Sequence, residues 1–339
     1  MKKLTIIAAA LGIFCLAPFA YAADAIGIFE TVHESSLSFD ETAGALETAI
    51  AASDLELHGS HDVRVPDDKH KARVYVLTSP AYQAAAASES PRTASAQVLR
   101  MAVYTMGDAQ TTYINMANPV AHAMVFYAKS KNYDSLMTAA DDAANTIRAV
   151  AQSVPGSAMS VQQEPARTEK KYRKFNGDGP AKMMAKFRNW QKSQLPIREA
   201  SAGAFEETVD SVAAALAAGT VAGPEDCDGW EVITQIRLSD DVVYFGLTNP
   251  YIEDKMVRIN SRFRSEGKSE AAPYPGVDHV TALPTEVLVV NDGNLTRVVH
   301  YGQMWRMQLY FWDSGYRAFT ANMAVPGNIA DSIEAAIGR

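Results

Sequence analysis

Cysteine is nearly missing from this chain. There are two in 339 residues. Cys15 lies in an N-terminal apolar run, and Cys227 stands alone between Asp226 and Asp228. With Cys15 removed by leader cleavage no internal disulfide can form, so apolar cores must hold the chain together. The carboxylates beside Cys227 disfavour a thiolate, which reads it as inert rather than nucleophilic. Basic residues are outnumbered, 31 against 39 acidic, for a net charge of −8. Together with the export signal described next, that argues against a nucleic-acid partner. Past the leader no stretch is long and apolar enough to read as a membrane span. Enzyme signatures are missing too: no Gly-x-Ser-x-Gly, no phosphate-cradling Gly loop, no Cys-x-x-Cys-His, no His-Glu-x-x-His. Ser265 and Lys268 have Ser-x-x-Lys spacing, but in a loop, where such a match is cheap.

The N-terminus reads as a cleaved secretory signal. Lys2 and Lys3 precede an apolar run from Leu4 to Phe19, and Ala20-Tyr21-Ala22 is a small-x-small cleavage site. The run is shorter than the roughly 20 apolar residues of a spanning helix. The expectation is a signal peptide over 1–22 and a mature protein in the periplasm or secreted.

The remainder repeats itself. Phe39-Asp40-Glu41-Thr42 recurs as Phe205-Glu206-Glu207-Thr208. The stripe Phe39, Ala43, Leu46, Ile50 recurs as Phe205, Val209, Val212, Leu216, a spacing that lays one face of a helix on a core. Ser38 with Glu41 predicts a capping box. Leu77-Thr78-Ser79-Pro80 matches Leu247-Thr248-Asn249-Pro250. Each half then has a hairpin pattern, turning at Gly107-Asp108 and at Asn291-Asp292-Gly293. Each ends in a helix, lined by Ala143, Ile147 and Val150 or by Ile329, Ile333 and Ile337. The predicted fold is α+β: two β-α-β4-α domains, each an antiparallel sheet with helices on one face, arranged as an intramolecular pseudo-dimer that covers the open faces. The predicted boundaries are 23–155 for the first domain, 156–198 for a basic linker and 199–339 for the second. An insertion at about 258–282 reads as a surface loop.

Each half resembles the domain of unknown function 302, a small bacterial and archaeal family. Phe39–Thr42, Ser79-Pro80 and Arg100 with Val103-Tyr104 carry the likeness in the first half. Phe205–Thr208, Asn249-Pro250 and Leu283-Pro284 carry it in the second. The resemblance implies the β-α-β4-α fold and no activity. The family cysteine position is Leu99 in one half and Thr285 in the other, so any function resting on that cysteine is absent. The family arginine is Arg100 in the first half and Glu286 in the second.

Three groups of residues are candidate sites. His58, His61 and His70, with Asp62, Asp67 and Asp68 nearby, have the chemistry of a zinc or copper site. Within a strand, however, His58 and His61 point to opposite faces unless Gly59-Ser60 bulges, and the second half has no matching histidines. Residues 300–316 are dense in large side chains. Tyr301, Met304, Trp305 and Trp312 could line an adaptable apolar cavity or pack a core. Lys170, Lys171, Arg173 and Lys174 head a strongly basic linker, suited to an anionic partner such as a membrane surface or to simple solvation. The reading is of a non-enzymatic module, without cofactor, that binds a small apolar ligand or a periplasmic protein. The alternative is a metal-binding protein or metal-dependent enzyme built on the three histidines.

Overall fold

The stripe headed by Phe39 folds as helix α1 (Phe39–Ala51), with Phe39, Ala43, Leu46 and Ile50 buried. Its counterpart is helix α7 (Phe205–Ala217), with Phe205, Val209, Val212 and Leu216 buried. The Glu41 carboxylate accepts from the Ser38 backbone N–H at 3.1 Å, tying down an otherwise orphan donor at the start of α1. These details come from a computed structural model that describes residues 25–177, 190–219, 223–263, 276–312 and 320–338. The expected signal peptide, 1–22, lies outside the described residues.

The fold is α+β with two antiparallel sheets. In the first half β1 (Ala25–Ser35), β2 (Glu56–Asp62), β3 (Ala72–Thr78), β4 (Leu99–Met106) and β5 (Thr111–Ala117) associate in the order β2-β3-β4-β5-β1. In the second half β7 (Gln194–Ser201), β8 (Glu231–Ser239), β9 (Val242–Thr248), β10 (Thr285–Asn291) and β11 (Leu295–Tyr301) associate as β8-β9-β10-β11-β7. The two orders are the same. The registers agree as well. Arg100 sits opposite Val76 on β3, and Glu286 sits opposite Gly246 on β9. Each edge pair carries an irregularity at the same place, between Leu57 and Gly59 on β2 and between Val232 and Thr234 on β8, and β8 has another between Arg237 and Ser239. Further helices follow in each half: α2 (Pro80–Ala86), α3 (Pro119–Phe126) and α4 (Tyr133–Gln152) in the first, α8 (Pro250–Phe263), α9 (Gln303–Phe311) and α10 (Val325–Ile337) in the second. Among the described residues no helix is long and apolar enough to cross a membrane.

Two segments differ from the sequence expectation. The stretch read as a linker opens with β6 (Gly156–Thr168), which pairs antiparallel along β1 and makes the first sheet six-stranded. Its polar residues hid a strand that needs only an edge to pair with. Among the described residues sheet two has no counterpart, and β7 is an edge there, where Pro196 is tolerated because its outer side pairs with no described strand. The insertion expected as a surface loop is helical through Phe263, and its described end, Val277–Ala282, is a buried 3-10 turn. Val277, Val280 and Ala282 make that turn apolar enough to serve as a lid.

The turn lies on the first sheet. Asn115 Nδ2 donates to the Asp278 carbonyl at 2.6 Å, and Phe29 meets the His279 ring at 4.9 Å. Strands β2 and β8 also touch: Thr234 Oγ1 donates to the His58 carbonyl at 3.1 Å. Both faces of β4 and β10 are therefore buried.

Candidate ligand-binding cleft

Helix α3 starts cleanly because Pro119 needs no N–H partner and Asn118 Oδ1 accepts from Val120 N at 3.0 Å. It delivers Phe126 to the junction of the two halves. There Phe126 meets Trp190, Tyr301 and Trp305 at ring separations of 5.5, 5.6 and 6.2 Å. Tyr301 and Trp305 stack at 5.9 Å, and Phe175 packs on Trp305 at 5.8 Å. Such pairs stabilise beyond their buried area by about 0.5–1.5 kcal/mol each. Short helices α5 (Glu169–Arg173) and α6 (Trp190–Ser193) close this aromatic block from outside.

Between the two short helices and the end of α3 lies a cleft of about 380 Å³. Tyr172, Phe175 and Trp190 form its walls, and Lys129, Arg173, Lys174 and Lys192 its rim. The walls are fixed from behind. Tyr172 OH donates to the Ile26 carbonyl at 3.0 Å. The Arg167 guanidinium lies 4.7 Å over the Phe175 ring while donating to the Leu309 and Gln308 carbonyls at 3.1 and 2.9 Å. The Trp190 indole N–H is buried with no acceptor. Lys170 and Lys171 point to solvent, so of the four basic residues singled out in sequence only Arg173 and Lys174 reach the cleft.

Tyr301 and Trp305 are buried behind the cleft and do not line it. Met304 and Trp312 are half-buried in a separate small group with Met307 and Phe311. The histidines each have a different partner: His58 Nε2 pairs with Thr78 Oγ1 at 2.8 Å, His61 Nε2 with Glu253 Oε1 at 2.7 Å, and His70 Nδ1 with Asp67 Oδ2 at 2.9 Å. Among the described residues no group of three His, Cys, Asp or Glu converges as a metal site. Cys227 is buried, and burial raises its thiol pKa, the direction that keeps it protonated.

A second cluster, unsuspected from sequence apart from Arg100 and Glu286, lies at the centre of the junction. Arg100 Nη2 donates to His122 Nε2 at 2.7 Å and to Tyr310 OH at 3.0 Å. His122 Nδ1–H donates to the Asn118 carbonyl at 2.8 Å, which fixes Nε2 as the acceptor. Burial and the neighbouring Arg100 push the His122 pKa down to about 3, so the ring is neutral. Glu286 lies 3.6 Å from Arg100 and 2.9 Å from Arg306 Nε. Arg306 also donates to Thr285 Oγ1 at 3.1 Å and the Ala282 carbonyl at 2.9 Å. All five are buried. They form a structural bolt between the halves. Their signal in sequence was the exchange of Arg100 for Glu286 between halves. The cleft's signal was the interleaving of Tyr172 and Phe175 with the basic run.

No family model matches the chain, and no curated protein matches it. Among solved structures, the chain is similar to an uncharacterised conserved protein of domain of unknown function 302 from Bacillus stearothermophilus. The identity is 16%, over 37% of this chain and 96% of that one, with a TM-score of 0.31. It is the family that the sequence motifs resemble.

Proposed function

We propose that the protein is an exported, non-enzymatic binding module whose cleft receives one small molecule with an apolar body. The observation that carries this reading is the 380 Å³ cleft walled by Tyr172, Phe175 and Trp190. Its size lies at the small end of the roughly 300–1,000 Å³ typical of ligand sites. The signal-like N-terminus supports export to the periplasm, with cleavage after Ala22. Sequencing the N-terminus of protein from a periplasmic fraction should begin at Ala23; an intact Met1 there refutes it.

The two halves act in this reading as an intramolecular pseudo-dimer, with the cleft at its seam. Two contacts support it. Arg100 and Glu286, equivalent by register, lie 3.6 Å apart. The equivalent bulges of β2 and β8 also meet, through Thr234 and the His58 carbonyl. Self-equivalent contacts at two places are what a two-fold arrangement requires.

N-phenyl-1-naphthylamine, a neutral aromatic probe, tests the cleft. Its fluorescence should rise saturably at one probe per chain, and Trp190→Ala should weaken the binding several-fold. Non-saturable binding, or binding untouched by Trp190→Ala in protein with an unchanged melting temperature, refutes the assignment.

A further inference from the structure

Resting on the cleft as the binding site, we propose that its ligand is an organic anion: a carboxylate, sulfonate or phosphate ester carried on an apolar body. The rim has four cationic side chains, Lys129, Arg173, Lys174 and Lys192, and among the described residues no carboxylate lines the cleft. Arg173 is already engaged, by Glu169 at 3.2 Å and over the Tyr133 ring at 4.1 Å. Lys129 and Lys174 enter no ion pair among the described residues. Like charges gathered around one concavity repel, and an anion between them relieves that repulsion.

The rings of Tyr172, Phe175 and Trp190 are the second observation: they give an apolar body a surface directly beside those cations. The aromatic walls then hold the rest of the ligand. A soluble molecule is the occupant proposed, because three aromatic side chains in the walls offer a surface for a ring and not merely for a headgroup.

Two probes with the same ring system separate the two levels of the argument. 1-Anilinonaphthalene-8-sulfonate carries a sulfonate, and N-phenyl-1-naphthylamine lacks it. Both are titrated into the purified full chain at low salt. The anionic probe should bind about tenfold more tightly. That advantage should shrink at about 0.5 M NaCl, where charges are screened within a few ångströms. It should vanish in the Lys129→Gln/Lys174→Gln variant, whose exposed substitutions leave the neutral probe and the melting temperature unchanged. Equal affinity for the two probes, or an advantage that survives both salt and the double substitution, overturns the anion assignment and leaves the cleft standing. Failure of both probes overturns the cleft itself. Sedimentation with phosphatidylglycerol vesicles, without saturable binding of the soluble anion, overturns the small-molecule assignment.

Discussion

Lowering the pH from 7 to 5 should destabilise this protein through one buried ring. His122 is 4% exposed, and its Nε2 accepts from Arg100 at 2.7 Å and faces Tyr310 OH at 2.9 Å. Burial disfavours a charged ring here, and a proton on Nε2 would also oppose the Arg100 guanidinium directly, with Arg306 adding a smaller repulsion, so the folded pKa falls from 6.5 to about 3. The unfolded chain therefore takes up a proton between those values that the folded chain refuses. Stability is complete above the unfolded pKa and is lost as pH falls toward the folded one. Between pH 7 and pH 5 the unfolded histidine gains about three-quarters of a proton, and the linkage amounts to about 2 kcal/mol. Urea unfolding at the two pH values measures it. His122→Gln keeps an acceptor for Arg100 and cannot titrate, so its loss over the same interval should be smaller by that amount. The other titrating groups, including the buried carboxylates Glu30 and Glu253 and the buried His300, are common to both proteins and cancel. Equal losses in the two proteins refute the argument, as does a His122 resonance that titrates near 6.5 in the folded state.

Other outcomes follow from packing. Phe39→Ala and Phe205→Ala should each cost about 3–5 kcal/mol in urea unfolding, since both rings head a buried stripe. Gly59→Ala places a methyl 2.4 Å from the Ile233 carbonyl oxygen, across the contact of β2 with β8; overpacking of about 1–3 kcal/mol should appear as a lowered midpoint. Glu253 is wholly buried and accepts from His61 Nε2 and Arg64 N, both at 2.7 Å. Glu253→Ala should cost about 2–3 kcal/mol by chemical denaturation. Because those bonds and the Arg100 cluster join the halves, calorimetry should show one transition, with calorimetric and van't Hoff enthalpies equal. Two resolved peaks contradict the shared core.

The helices and hairpins were legible because their signals are local. Apolar residues three and four apart mark the inner face of α1 wherever it packs, and Asn291-Asp292-Gly293 turns a hairpin by its own backbone preferences. Strand β6 has no such signature. Small and polar residues fill it, and it is a strand because β1 offers an open edge. The Val277–Ala282 turn is buried by the opposite half, which no window of sequence contains. The cleft was half legible: Arg173 and Lys174 were found through charge, while Lys129 is brought in by α3 from far upstream. Tyr301 and Trp305 misled because an aromatic-rich stretch reads alike whether it lines a cavity or backs one. The Arg100–His122 pair joins a strand to a helix across 22 residues, and no motif announces it.

The Val277–Ala282 turn also bears on how the chain is completed in time. Synthesis from the N-terminus presents the first sheet well before residue 277. Until the turn arrives, Phe29 and Asn115 lack the His279 ring and the Asp278 carbonyl that meet them, and the Arg100 guanidinium lacks its Glu286 counter-charge. Strand β6 is available much earlier and seals the β1 edge, so the interval leaves an open face but no open edge there. Open strand edges recruit other chains far more readily than open faces do. The sixth strand of the first sheet thus sits on the half that must wait.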